Sequence, residues 1–258
     1  MTLRILLDVY VALVGLVVGS YLNVVIHRLP RRESTVLPRS RCPACGAKIR
    51  AWDNVPVASF LVLRGRCRSC RQPISWRYPL VEATTGALFV LSLERFGASP
   101  DALVAMGFGS LLIVLAGIDY EHYLLPDVLT LPGLGAGLLV AATTDWIRWP
   151  DAAIGAAIGG GASWLLAEGW YRLRGEEGLG LGDVKMLALL GAFLGWEGLL
   201  VTLLLASLAG TSVGVAAMIR GRMGLKSRLP FGVFLAGGGL LALFLGPPMV
   251  RAYRSLLV

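Results

Sequence analysis

The sequence predicts an all-α polytopic membrane protein of about eight transmembrane helices with a small cytoplasmic loop domain resembling a zinc ribbon. Three observations predict it. The 258 residues are 56% hydrophobic and only 16% charged, where a soluble domain carries roughly 25% charge. Apolar runs near the ~20 residues needed to cross a bilayer recur along the chain. All four cysteines sit in one polar loop, as two CxxC pairs. This composition, with a mean hydropathy of +0.71, excludes a disordered chain, a fibrous chain and a disulfide-rich secreted module. The 33 glycines suit close helix packing in lipid.

The expected spans are about 4–26, 80–96, 101–118, 126–144, 151–171, 184–196, 198–219 and 230–250. The first runs apolar from Ile5 to Ile26, too long for the core of a signal peptide. Arg28, Arg31 and Arg32 follow it, with no small-residue cleavage site, so it reads as an anchor or first span. The second and sixth spans are short. The sixth covers only ~20 Å at 1.5 Å per residue, less than a ~30 Å hydrocarbon core. A helix that starts below the interface would place Asp183 in a protein cavity. The chain then divides into a first helix at 1–26, a loop domain at 27–79 and a membrane domain at 80–258.

The charges set orientation. The net charge is +8, and loop 27–79 holds 12 of the 24 basic residues against two acids, Glu33 and Asp53. Segment 172–183 adds Arg172 and Arg174, and 220–229 adds Arg220, Arg222, Lys226 and Arg228. With eight spans these three loops fall on one side, which the positive-inside rule makes cytoplasmic. The loop 119–125 shares that side, and both termini lie outside. A pI near 9.7 would suggest nucleic acid in a soluble protein. Here the basic balance sets orientation, the partner is the lipid bilayer, and no nucleic acid is expected.

Cys42 and Cys45 precede Cys67 and Cys70 by 21 intervening residues. Paired CxxC knuckles present four thiolates as a tetrahedron, the donor set of structural zinc. The alternative is two disulfides, which a reducing cytosol opposes. The loop has few aliphatic residues, so metal would supply folding energy. His27 and His122 are assigned to no metal.

Three acids lie at the expected cytoplasmic boundary: Asp119, Asp127 and Asp183. Ionisable groups at membrane depth are costly and usually functional. Two carboxylates held together share a proton, so that one serves as base and the other as acid. Such a pair activates water and polarises a peptide carbonyl. Read singly, Asp183 caps a helix start and Asp127 begins another after Pro126. Gly178, Gly180 and Gly182 allow close backbone approach, whether for an extended substrate or as a flexible loop. Lys185 either steadies the carboxylates or snorkels to the interface. Glu82 is expected to pair in the helix interior, and Asn23 to bond between helices.

These residues fall in longer motifs. They include Gly19-Ser20-Tyr21-Leu22-Asn23-Val24-Val25-Ile26-His27-Arg28-Leu29-Pro30 and Asp53-Asn54-Val55-Pro56. The cysteine knuckles, Arg64-Gly65-Arg66-Cys67, Ser75-Trp76-Arg77-Tyr78-Pro79-Leu80-Val81-Glu82, the Asp119 segment, Gly180–Lys185 and Leu229-Pro230-Phe231-Gly232 complete them. With them the chain resembles the bacterial prepilin peptidases, or type IV leader peptidases, of the GxGD aspartic class. The resemblance covers nearly the whole chain. It implies cleavage of the basic leader from type IV prepilin or pseudopilin precursors at the cytoplasmic face of the inner membrane. It also implies N-methylation of the new N-terminus with S-adenosylmethionine. Asp119 and Asp183 match the catalytic pair, with Asp127, Gly180, Gly182 and Lys185 supporting. The cysteine loop matches the bifunctional branch. The family often reads Pro-Phe-Gly-Pro where this chain has Val233, a departure that touches no catalytic position. The alternatives are a membrane aspartic peptidase without methyl transfer and a proton-coupled transporter. A transporter would show an inverted repeat, and none is seen in the sequence.

Overall fold

The computed structural model describes residues 2–176, 178–221, 224 and 229–255. Arg222, Lys226 and Arg228, named above, lie outside the described residues. The described residues are helical and contain no β-strand. In order the helices are α1 (Thr2–Arg28), α2 (Ala58–Val62), α3 (Arg77–Phe96), α4 (Pro100–His122) and α5 (Asp127–Thr143). Then come α6 (Trp149–Ala157), a π segment (Ile158–Ala162), α7 (Ser163–Arg174), α8 (Leu181–Ile219) and α9 (Phe231–Ser255). Among the described residues α1, α4, α8 and α9 are long and apolar enough to cross a membrane. The chain forms two compact units that divide within α4, at Val114 and Leu115.

In the first unit α1 packs along α3. Small residues set the approach: a Cβ on Gly19 would lie 2.7 Å from Glu82 Cα. Asn23, buried, donates from Nδ2 to the Tyr78 carbonyl at 3.1 Å, so it does bond between helices. Thr85 and Ser92 satisfy their hydroxyls on carbonyls one turn back, at 2.7 and 2.8 Å. Buried polar groups in an apolar interface need such partners.

The second unit is built around α8, against which α9, α6 and α5 pack. Glycine allows the tightest contact: a Cβ on Gly191 would lie 2.1 Å from the Gly155 carbonyl oxygen. The expected sixth and seventh spans are two helical stretches within Leu181–Ile219 that meet at Gly195, whose backbone (φ 68°, ψ 178°) is not helical. That backbone region is open only to glycine. Beside the bend, the Trp146 indole N–H donates to the Phe193 carbonyl at 2.8 Å. The break expected between 196 and 198 thus falls at Gly195, one residue before Trp196. The expected fifth span is likewise α6 and α7 joined through the π segment, whose register shift is a common cause of local bending.

Candidate active site and metal centre

Asp119 occupies the last turn of α4 and is 5% exposed. The chain then reverses through Tyr123, and Leu125 folds inward. Leu125 acts as a spacer: a Cβ on Gly182 would lie 3.1 Å from its Cβ, and one on Gly232 would lie 3.2 Å from its Cδ1. The first turns of α8 and α9 thus converge on one side chain, six residues after Asp119.

That convergence presents α9 to Asp119. The Val233 N–H donates to Asp119 Oδ2 at 3.1 Å, and the Gly232 N–H also bonds to the carboxylate. The second and third residues of α9 have no intrahelical acceptor for these protons. Asp119 fills the role of an N-cap side chain, supplied from a different helix. The helix dipole favours a carboxylate there. Gly232 is needed because a Cβ would lie 2.8 Å from Asp119 Oδ2.

Asp183 is the third residue of α8 and is half-buried. It lies near enough for the Asp119 charge to act on it. The structure thus brings Asp119 and Asp183 together. One expectation changes: Asp183 does not cap α8, since no side-chain cap bond is made and Gly180 holds the cap position. The Asp183 and Val184 N–H groups donate to the Gly180 carbonyl at 3.0 and 3.2 Å, so the backbone closes the turn and the carboxyl is left for other contacts. Gly178 packs on Trp170, where a Cβ would lie 2.7 Å from Cδ1.

Asp127 is exposed at the first residue of α5. Lys185 Nζ lies 2.6 Å from Asp127 Oδ1. Neither His27 nor His122 joins a metal-capable group among the described residues.

The cysteines lie in the first unit. Their four Sγ atoms are all within 4.8 Å of one another, and Cys42 Sγ is 3.9 Å from Cys70 Sγ. All four are free thiols. Tetrahedral zinc with Zn–S bonds near 2.3 Å spaces its sulfurs by about 3.8 Å, so the donor set and spacing fit the ion. The two knuckles share one hydrogen-bond pattern. Cys42 N–H bonds to the Ala47 carbonyl and Cys67 N–H to that of Gln72, at 2.9 and 2.8 Å. Gly46 N–H returns to Cys42 and Arg71 N–H to Cys67, at 2.9 and 3.0 Å. Each knuckle closes with one isolated bridge, Arg41 to Lys48 and Arg66 to Pro73. Backbone N–H groups of Cys70 and Ser69 pull the Cys67 thiol down to about 7, which primes it as a metal ligand.

Sequence reasoning missed three contacts. Arg68, inside the second knuckle, grips both oxygens of Asp53 with contacts of 2.6 to 3.0 Å. The Arg68 guanidinium holds the Asp53 carboxyl below the usual carboxylate range. Glu82 Oε2 accepts the Val57 N–H at 2.8 Å. The third is the Val233 bond to Asp119. The signals were faint: Asp53 and Glu82 stand in the motifs quoted above, but nothing in their spacing names a partner.

A cavity of about 520 Å³ lies between the end of α1 and the loop after it. Arg28 and Arg39 line it and no carboxylate does.

Four helices long and apolar enough to cross a membrane, aspartates at two helix ends and a four-thiol cluster are the features expected of a membrane aspartic peptidase. Comparison with known proteins names the family. The bacterial peptidase A24 N-terminal domain matches residues 13–96, and the type IV leader peptidase family matches 106–215. The chain is 46% identical to a prepilin leader peptidase/N-methyltransferase of Burkholderia pseudomallei, over 93% of this chain and 85% of that protein. It is 41% identical to the protein of that name from Pseudomonas putida, over 94% and 92%. The chain belongs to the type IV leader peptidase family. No solved structure gives a significant match. These relatives do not favour the transporter or the methylation-free peptidase.

Proposed function

We propose that this protein cleaves the leader from type IV prepilin or pseudopilin precursors and methylates the N-terminus that cleavage exposes. The relatives' name supports both activities. The observation that carries the reading is Asp119, held by the first turn of α9 beside Asp183.

In this mechanism the two aspartates share one proton. The ionised carboxylate takes a proton from water, whose oxygen attacks the scissile carbonyl. The protonated partner donates to the departing amide nitrogen. Proton count is conserved, and the pair exchanges roles for the next turnover. The backbone donors on Asp119 fix its oxygen positions, and Leu125 keeps the two helix starts apart. Asp127 and Lys185 act as a supporting ion pair, and Gly180 and Gly182 as the close-approach turn before Asp183.

The finer architecture follows the same proposal. Eight spans place loop 27–79 and the aspartates on the cytoplasmic side of the inner membrane, with a first helix at 1–26 and a peptidase domain at 80–258. Cys42, Cys45, Cys67 and Cys70 hold structural zinc and make the loop a zinc-ribbon-like domain. S-adenosylmethionine supplies the methyl group when bound. Purified protein with a prepilin peptide and labelled S-adenosylmethionine, scored separately for cleavage and methylation, tests the proposal. A protein that does neither would overturn it.

A further inference from the structure

The second knuckle differs from the first in one respect. The residue after the last cysteine adopts a left-handed conformation in both, with φ 69° at Gly46 and φ 60° at Arg71. Glycine takes that conformation freely and an L side chain takes it at a cost. A second arginine, Arg64, also stands at positive φ, 52°. Together with Arg66 and Arg68, these residues line a cavity of about 630 Å³ that Val62 and Leu63 complete. Arg68 is committed to Asp53. Arg64, Arg66 and Arg71 make no ion pair among the described residues. Setting orientation requires only a count of basic residues, not a groove built at strained backbone positions.

The surroundings indicate what the groove meets. Leu61 and Val62, on α2, are 65% and 76% exposed. The neighbouring Phe60 is buried and its ring lies 4.8 Å from that of Trp76. Trp76 directly precedes α3 and is 74% exposed. Exposed tryptophan at a helix end is typical of the headgroup level of a bilayer. Arginines beside exposed aliphatic side chains at that level match phosphate outside and acyl chains inside. The cationic methyl donor of the proposed reaction and a basic leader would both be repelled.

We propose that Arg64, Arg66 and Arg71 bind phosphate headgroups of anionic phospholipid in the bilayer that holds the chain, with Leu61 and Val62 inserted beside them. This docks the second knuckle on the membrane surface. It requires membrane embedding but neither peptidase nor methyltransferase activity.

The test is backbone hydrogen exchange of the full chain in nanodiscs of phosphatidylcholine, with and without phosphatidylglycerol. Amides in 61–71 should exchange about tenfold more slowly with phosphatidylglycerol, and the difference should vanish in 1 M salt, where the screening length is ~3 Å. Each surface arginine contributes roughly fivefold to such attraction, so R64Q/R66Q/R71Q should abolish the difference while zinc content stays at the wild-type value. L61S/V62S, which leaves the knuckle untouched, should reduce it. Equal exchange in both lipids would overturn the proposal. So would equal protection in neutral nanodiscs by inorganic phosphate or a short DNA duplex, since the site would then serve a soluble anion.

Discussion

Lys185 Nζ lies 2.6 Å from Asp127 Oδ1, joining the fifth residue of α8 to the first residue of α5. The cation two residues from Asp183 is thereby committed to a carboxylate outside the aspartate pair. Their side chains are 31% and 58% exposed, and ion pairs of that exposure contribute about 0–1 kcal/mol. Asp127→Asn and Lys185→Met should each slow cleavage by less than about tenfold. The double variant should be no worse than either single one, because both remove the same contact. Steady-state cleavage of a prepilin peptide by all three proteins measures this.

Asp119→Asn and Asp183→Asn should each lower cleavage by at least about a thousandfold, the loss typical when one member of a catalytic unit is removed. Both keep side-chain volume, so the helical circular dichroism signal should be unchanged. Substantial cleavage by either variant would remove that residue from the dyad.

The α9 start offers a graded test. Gly232→Ala puts a methyl 2.8 Å from Asp119 Oδ2, too close unless the carboxylate shifts. Displacing a catalytic group by about 1 Å costs on the order of a hundredfold in rate. Val233→Pro removes only one of two N–H donors, and proline is tolerated in a first helical turn. It should retain cleavage within about tenfold. Turnover numbers for the two variants should fall in that order.

Zinc uptake should depend on pH with a defined sign. The ligand is the thiolate; backbone N–H groups pull the Cys67 thiol down to about 7, while, against the pull of the Gln72 N–H, burial and the neighbouring thiols push Cys70 up to about 11. Uptake by stripped protein should strengthen as pH rises through 7 and weaken below it, where protons compete for sulfur. Chelation should unfold the loop, and Cys67→Ser should prevent full metal occupancy. Asp53 carries a dependence of the same sign in a lower pH window. Its folded value is lowered, so its bond to Arg68 stabilises the loop above the ordinary carboxylate range. That contribution is lost as pH falls through the lowered value. A chromogenic zinc chelator, titrated at several pH values against wild type and Asp53→Asn, reads both effects.

Gly191→Ala should destabilise the second unit by about 1–3 kcal/mol. The added carbon would meet the Gly155 carbonyl at 2.1 Å, and two helix backbones must separate to admit it. Thermal unfolding in detergent measures the loss.

The helices were legible because bilayer thickness and hydrophobic run length are set by the same physics. α1, α3, α4, α5 and α9 fall where the apolar runs place them. The division between the sixth and seventh spans was legible to within about two residues, but its form was not, because one positive φ leaves no trace in hydropathy. The four thiols were legible from spacing within one loop. The pairings Lys185–Asp127, Val233–Asp119 and Glu82–Val57 join residues 58, 114 and 25 positions apart. Only the tertiary fold brings them together. Asp183 looked like a cap because acids favour helix starts, and only its turn geometry shows that Gly180 already fills that position.

Glu82 has a consequence for how such chains can vary. It is a buried carboxylate within the α1–α3 pair, satisfied by the Val57 N–H and the Ser20 hydroxyl. Val57 belongs to the loop. A shortened chain without that loop would strand an acid between two helices with half its partners gone, so losing the cysteines and losing the glutamate should occur together.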